Sequence, residues 1–328
     1  MIYADQRWIG NHGIGRFAKH VLDGLEFCPI QLTSHPAAAL DSVKLSWALR
    51  TLLPQDLFLS PGYNTPLFCK APFVFTIHDL SHIRCAENWK PEIGVYYATI
   101  MKRACHGAAL ILTVSEFTRT QIVEWSGVRP AKVVNVKCGV DPRYQPNGDS
   151  FGLPFPYLLS VSNRRPHKNE ERLIAAFAKA SLDPQVHLVL TGNATPELLR
   201  SIDAEQVSSR VHFLGMVREE NLPALYRGAE ALILASLYEG FGLPVLEAMA
   251  CGVPVITSNV TAMPEVAGDA ALLVDPRSVE QISRAMERII RDSELRQQLV
   301  EKGISRAAYF SWQDTVQKVR KLLAMQAG

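Results

Sequence analysis

Glu239-Gly240-Phe241-Gly242-Leu243-Pro244-Val245-Leu246-Glu247 is the stretch whose residue types and spacing say most about chemistry. Two glycines let a ligand approach the backbone closely. Pro244 suits the first turn of a helix, so Gly240 to Leu243 read as a strand-to-helix turn. Backbone N–H groups there, backed by the positive end of the helix, favour an anion. Glu239 stands at the strand end and Glu247 about one turn into the helix. Two carboxylates so placed can grip hydroxyl groups; the plainer alternative is that they only complement the helix dipole.

A second cluster is Ser162-Asn163-Arg164-Arg165-Pro166-His167-Lys168-Asn169. Three cations between a strand and a helix suit a diphosphate, with Lys168 as a point charge and an arginine forking across two oxygens. The sequence does not choose between Arg164 and Arg165, and an exposed basic loop would read the same way. Nearer the start, Gly13-Ile14-Gly15-Arg16-Phe17-Ala18 matches the pattern GxGxxA. It fits a nicotinamide dinucleotide poorly: Arg7 to His12 separate it from the first strand, and no acid ends the second. A glycine turn at a helix start can still touch a phosphate or an acceptor. His78-Asp79 closes another strand and offers acid/base or metal chemistry, although adjacent side chains diverge and Asp79 can instead cap a turn. His12, His20, His106 and His212 show no clear partner, and there is no GxSxG elbow, P-loop, HExxH or Cys–His signature.

The elements that must position these residues are short apolar runs rich in β-branched residues. In the second half they are 157–161, 186–190, 211–214, 231–234, 253–257 and 271–274, with helical spacing over 170–181, 196–206, 219–228 and 244–250. In the first half they are 1–4, 30–33, 56–60, 73–77, 110–114 and 133–136. Strands alternating with helices indicate parallel sheets covered on both faces. Four prolines and two glycines crowd residues 142–156, which marks a linker and predicts domains over 1–150 and 151–328, the last helix being free to pack back on the first domain. Two such sheets facing each other leave a cleft, and ligands sit at the carboxyl ends of the strands.

The 328 residues are enough for two cores, and 34 basic against 32 acidic residues is too even for a nucleic-acid binder. Counted up to residue 155, 15 basic and 12 acidic residues give the first half +3, and the remaining 19 and 20 give the second half −1. The six cysteines have neither CxxC nor metal-ligand spacing, which favours a reduced compartment. The charged N-terminus is unlike a signal peptide and no apolar run is long enough to cross a membrane. The expected place is the cytoplasm, with room for peripheral contact at the inner face of the membrane.

The Glu239–Glu247 stretch resembles the E-x7-E signature of the family 4 glycosyltransferases. Gly13-Ile14-Gly15-Arg16-Phe17, Thr76-Ile77-His78-Asp79-Leu80, Thr113 to Arg119, Arg165-Pro166-His167-Lys168-Asn169 and Met263-Pro264-Glu265-Val266-Ala267-Gly268 resemble it too, in the expected order. The resemblance covers nearly the whole chain and is strongest to mannosyl- and rhamnosyltransferases of bacterial surface polysaccharide assembly. It implies the GT-B fold of two Rossmann-like α/β domains, an acceptor-binding one followed by a donor-binding one. It implies retaining transfer of a sugar from a nucleoside diphosphate to a hydroxyl, with no metal and no other cofactor.

Under this resemblance Lys168 with Arg164 or Arg165 holds the diphosphate, and Glu247 takes the ribose hydroxyls. Glu239 and the amides of Phe241, Gly242 and Leu243 orient the donor sugar, and His78 contacts that sugar. Gly13 and Gly15 let the first loop approach the phosphate and acceptor, while Gly215-Met216-Val217 lies beside the base. Guanine with mannose is the first expectation for the donor. The acceptor implied is a glycan or a polyprenyl-diphosphate-linked glycan, and the +3 half offers contact with an anionic membrane. The rivals are a GT-B-fold nucleotide-sugar epimerase and rhamnosyl or glucosyl transfer from a dTDP or UDP donor.

Overall fold

The central strands of this chain read as apolar runs because they lie in parallel sheets covered on both faces. The computed structural model describes residues 1–38, 40–85 and 89–326 and shows two six-stranded sheets. They belong to two compact units, Met1–Gly139 with Ser311–Gly328, and Val140–Phe310.

In unit 1, β1 (Ile2–Ala4), β2 (Cys28–Pro29), β3 (Leu57–Ser60), β4 (Phe73–Thr76), β5 (Leu110–Thr113) and β6 (Val133–Asn135) lie in the order β2-β1-β3-β4-β5-β6. All pairs are parallel, with Ala4 opposite Leu59 and Phe75 opposite Ile111. The helices of this run are α1 (Gly13–Asp23), α2 (Asp41–Ala48), α3 (Ser81–Arg84), α4 (Pro91–Tyr96), α5 (Lys102–Gly107) and α6 (Glu116–Ser126). Phe58, Phe75, Ile77, Ile111 and Met101 fill the core between sheet and helices. The second strand is a correction to the sequence reading, which placed it on 30–33: the ladder is Tyr3 with Cys28 and Ala4 with Pro29. Pro29 has no N–H to donate, and the strand that holds it sits at the sheet edge, where that costs least.

In unit 2, β7 (Tyr157–Ser160), β8 (His187–Leu190), β9 (Val211–Phe213), β10 (Ala231–Leu234), β11 (Val255–Ser258) and β12 (Leu272–Val274) lie in the order β12-β11-β10-β7-β8-β9. Between and after them come α7 (Glu170–Lys179), α8 (Pro196–Ala204), α9 (Leu222–Arg227), α10 (Leu243–Ala250), α11 (Met263–Ala267), α12 (Val279–Arg291) and α13 (Ser293–Ala308). Its core joins Leu158, Phe177, Ile233, Ile256 and Met286.

The chain leaves unit 1 at Gly139, earlier than the compositional boundary at 150. Residues 140–155 are bound to unit 2: Phe151 N donates to Ala224 O at 2.8 Å, and Arg227 Nε to Asp149 O at 2.9 Å. The Pro/Gly density there marks departure from helix and strand, not the frontier of a unit. The last helix, α14 (Trp312–Ala324), returns to unit 1. Trp312 stacks on His20 with centroids 4.4 Å apart, and Lys318 Nζ donates to Asn135 O at 2.7 Å.

Candidate active site

The order of the unit 2 sheet reverses between β7 and β10, because β8 and β9 continue to one side of β7 while β11 and β12 continue to the far side of β10. Loops leaving the carboxyl ends of two such strands diverge and open a crevice between them. The loop after β7 carries the cation cluster, and the loop after β10 carries the glutamate–glycine turn. Lys168 Nζ meets Glu239 Oε1 at 2.7 Å across that switch point, and both side chains are largely buried. Ser236 Oγ donates to the same oxygen at 2.7 Å, and Glu239 N donates to Thr261 Oγ1 at 3.2 Å. Lys168 and Glu239, 71 residues apart in the chain, thus form one site.

Gly242, at φ +99°, precedes α10, and a Cβ there would also stand 2.3 Å from Met263 Cε. This is the conformation glycine takes at least cost, and it turns the chain so that Leu243 and Pro244 open the helix. Phe241 is buried and meets Phe310 edge to face at 5.8 Å. Glu247 is buried on α10, where its Oε2 accepts from the Tyr226 hydroxyl at 2.8 Å. Tyr226 escaped the sequence reading. A fully buried tyrosine needs a partner for its hydroxyl, but nothing local in the sequence says that the partner is Glu247.

The two arginines have different surroundings. Arg164 sits at φ +61°, and its guanidinium turns back onto protein. It bonds Glu170 Oε1 and Thr191 O, donates to Gly192 O at 3.2 Å, and donates through Nε to Asn193 O at 2.9 Å. Burial pulls it below the usual arginine range while the Glu170 charge opposes that. Arg164 therefore ties the loop after β7 to the loop after β8, whereas the Arg165 side chain is exposed. Arg165→Ala is expected to weaken nucleoside-diphosphate affinity by about tenfold, the worth of a charged hydrogen bond, with little change in Tm. Arg164→Ala is expected to lower Tm by several degrees, because buried Glu170 loses its ion-pair partner and keeps only the Ser162 hydroxyl on Oε1, and three carbonyls lose a donor. Calorimetric titration and a melting curve on each variant check the pair.

The third loop is held by backbone: Gly192 (φ +81°) and Gly215 (φ +64°) form a bridge in which Gly192 N donates to Gly215 O at 2.6 Å. Met216 beyond it is 95% exposed and Val217 is half-buried, so a flat ligand there would meet main chain and one free side chain. An open pocket nearby is lined by Arg165, Arg172, Thr195, Glu197 and Leu237. Its lining takes in the loop after β7 and Leu237 of the loop after β10 but omits Lys168, Glu239 and Glu247.

In unit 1 the order reverses between β1 and β3, and a charged cluster missed by the sequence reading occupies that place. Arg7 Nη2 meets Asp5 Oδ2 and Arg7 Nη1 meets Asp41 Oδ1, each at 2.6 Å, with all three side chains buried. Asn64 Nδ2 donates to Asp5 Oδ2 at 2.5 Å, and Trp8 Nε1 and Ser60 Oγ donate to Asn64 Oδ1. Burial works against the Arg7 charge, but its bonds to Asp5 and Asp41 and their charges outweigh this and hold the guanidinium above its ordinary value. The available signal was an Asp-x-Arg directly after a strand; the match to Asp41 is long-range.

This cluster fixes the loop that leads to Gly13 and Gly15. Gly13 opens α1 and is exposed, and Gly15 is buried. Gly15 N donates to His12 Nδ1 at 3.0 Å, so His12 caps the helix. His106 Nε2 bonds Ser126 O at 3.0 Å and His212 Nε2 lies 2.7 Å from His187 Nδ1, so with His20 on Trp312 each histidine read as partnerless has a partner.

His78 follows β4 and is buried, with Nε2 2.9 Å from Pro61 O and the Phe17 ring edge-on at 5.0 Å. A carbonyl only accepts, so Nε2 carries the proton and Nδ1 is left as an acceptor. Burial, the largest influence, lowers the pKa from 6.5 to about 4, against the Pro61 bond and Asp79 and together with His12. Asp79 Oδ1 accepts from Ser81 N at 2.8 Å and so caps a turn, the second of its two sequence readings. Because the folded pKa is depressed, the stabilisation from neutral His78 is complete above pH 6.5 and lost as pH falls towards 4. That gap is worth roughly 3 kcal/mol. Urea titrations at stepped pH should show the wild type losing this much more than His78→Gln between neutral pH and pH 4. Among the described residues no group of three or more His, Cys, Asp or Glu is placed to hold a metal ion.

Comparison with known proteins shows the family and the fold. The model of Glycosyltransferase Family 4 matches residues 29–144, and that of Glycosyl transferases group 1 matches residues 150–306. The chain is 32% identical over 283 residues to O-antigen chain mannosyltransferase B of Escherichia coli, covering 82% of this chain and 74% of that protein. It is also 32% identical over 261 residues to the serotype-specific mannosyltransferase WbdA of E. coli, where the match takes in 74% of this chain but only 32% of that longer protein. HepE of Anabaena, solved with UDP and glucose, superposes with a TM-score of 0.76 at 19% identity over 99% of both chains. The family models and relatives, together with the fold, define a hexosyltransferase of the GT-B class, built of two Rossmann-like α/β units. The chain belongs to glycosyltransferase family 4.

Proposed function

We propose that this enzyme transfers mannose from GDP-mannose, with retention of configuration and without a metal, to a hydroxyl of a glycan or lipid-linked glycan during cell-surface polysaccharide synthesis. The observation that carries the reading is the Lys168–Glu239 pair at the unit 2 switch point, which puts a cation and a hydroxyl-binding carboxylate side by side where a nucleotide sugar would lie. Lys168 and Arg165 take the diphosphate oxygens, Glu239 and the turn amides take the sugar hydroxyls, and Glu247 takes the ribose. The Gly215–Val217 loop takes the base. In unit 1, His78 Nδ1 accepts from a sugar hydroxyl, while Gly13 and Gly15 serve the phosphate and acceptor. Stabilising charge on the departing diphosphate is where such an enzyme gains most. The E. coli relatives, both named mannosyltransferases, favour mannose. The reading places the enzyme on the cytoplasmic side of the membrane, where nucleotide sugars are made.

Thermal-shift screening of GDP, UDP, dTDP and ADP tests the base, and GDP is expected to give the largest rise. NMR of the product from GDP-mannose tests the stereochemistry, with an α-mannoside expected. A β-mannoside overturns retention, a larger shift with UDP or dTDP overturns the donor, and donor consumed without acceptor makes the enzyme an epimerase.

A further inference from the structure

The ladder between β4 and β5 runs to Thr76 opposite Leu112, and Ile77 N still donates to Leu112 O at 2.9 Å. His78 and Asp79 lie beyond that pairing, where a loop needs other anchors to stay in place. The loop after β3 supplies two. Pro61 O takes the proton of His78 Nε2 at 2.9 Å. The Tyr63 hydroxyl accepts from Asp79 N at 2.9 Å and donates to Asp79 O at 3.3 Å. One hydroxyl that gives and accepts at a single residue does what an adjoining strand would do. The Tyr63 ring is itself confined, with Trp8 edge-on at 6.2 Å, His82 edge-on at 5.7 Å and His78 tilted against it at 5.8 Å. His82 is held in turn, its Nδ1 3.0 Å from the Tyr97 hydroxyl.

This loop is rooted in the buried charged cluster. Asn64, next to Tyr63, is buried; its Nδ2 donates to Asp5 Oδ2 at 2.5 Å and to Asp41 Oδ2 at 3.3 Å. Its Oδ1 accepts from Ser60 Oγ at 2.6 Å and from Trp8 Nε1. Trp8 also covers Gly62 so closely that a Cβ there would stand 2.4 Å from its Cε2. A run of bonds therefore leads from Asp5, Arg7 and Asp41 through Asn64 to Tyr63, and on to the backbone beside His78. An imidazole held by Nε2 alone could pivot about that bond and carry Nδ1 off its target. Misplacing a reacting group by about 1 Å can cost on the order of a hundredfold in rate. Tyr63 ends the run and is half-buried, as Asp79 is, so water can replace its hydroxyl where it could not replace Asn64.

We infer that Tyr63 is a positioning residue for His78, fixing through the Asp79 backbone where Nδ1 points. The inference rests on the proposed reading only in taking Nδ1 as the acceptor of a sugar hydroxyl. Two measurements on the full-length chain test it. The first is transfer from GDP-mannose, or from whichever nucleotide sugar the thermal-shift screen selects. Tyr63→Phe should lower kcat by about tenfold, the worth of the lost hydroxyl bonds, with KM for the donor and Tm unchanged. In a His78→Ala background the same change should cost less than about twofold, since residues that act through one another are not additive. The second is NMR of the 15N-labelled imidazole. The His78 Nε2 proton should exchange with water about tenfold faster in Tyr63→Phe than in wild type. Equal losses in both backgrounds, no loss in either, or an exchange rate like that of wild type overturns the inference. His78→Ala at wild-type turnover overturns the role of His78 and this one with it. A wild type that transfers from no nucleotide sugar overturns the proposed function instead, and the exchange rate still decides whether Tyr63 holds His78.

Discussion

Lys168→Ala should lower sugar transfer by about 10²–10³-fold, the scale of losing one preorganised group aimed at developing charge. The ammonium stands at the end of a short turn (Pro166–Lys168) and is held against Glu239, so it is in place before a diphosphate departs. The substitution has a second effect that must be separated from the first. Glu239 would be left largely buried with only the Ser236 hydroxyl on Oε1, and breaking a buried pair from one side costs about 3 kcal/mol. Adding Glu239→Gln removes the orphaned charge, so the double variant should recover much of the Tm while turnover stays low. Initial rates and melting curves on the single and double variants check this. A Lys168→Ala enzyme that turns over the nucleotide sugar like wild type would remove the diphosphate assignment.

Gly15→Ala should destabilise unit 1 by on the order of 3 kcal/mol or more, although it adds one methyl group. A Cβ at Gly15 would stand 2.2 Å from Gly10 O and 2.5 Å from Gly10 N, and neither backbone atom can swing aside as a side chain can. The loop of residues 7–12 would have to lift, yet Arg7 anchors it to Asp5 and Asp41, and His12 is bonded to Gly15 N itself. Gly242→Ala is the useful contrast. Its nearest obstruction is the end of the flexible Met263 side chain, so the left-handed φ sets its cost, about 1–2 kcal/mol. Urea midpoints of both variants decide the ranking. A Gly15→Ala protein as stable as wild type would mean that the loop is not held as described.

What was legible in the sequence was local. β4, β5, β7 and β10 are buried along their whole length, so composition alone marks them, and Pro196 and Pro244 mark helix starts. Motifs placed at strand ends were therefore correctly placed at the carboxyl edge. Lys168 against Glu239 was out of reach, because that pairing exists only once β10 lies beside β7. Arg164 and Arg165 could not be told apart, since a left-handed backbone at a non-glycine residue sends the first one back into the protein. The Asp5–Arg7–Asp41 cluster joins groups 34 residues apart and has no local period to betray it. The frontier at Gly139 was missed because the prolines that suggest a linker are bound down on the surface of unit 2.

The return of α14 to unit 1 has a consequence for how the chain is made. Of the two units, unit 1 begins to leave the ribosome before unit 2, yet it cannot be finished until the segment from Ser311 has been synthesised. Until then Gly24 has no Val316 against it and His20 and Phe17 have no Trp312. Unit 2, continuous from Val140 to Phe310, can close on its own while unit 1 waits. A stop codon after Phe310 would therefore spare the later-made unit and leave the earlier-made one with an uncovered apolar flank, so the damage from a C-terminal truncation would fall on the N-terminal fold.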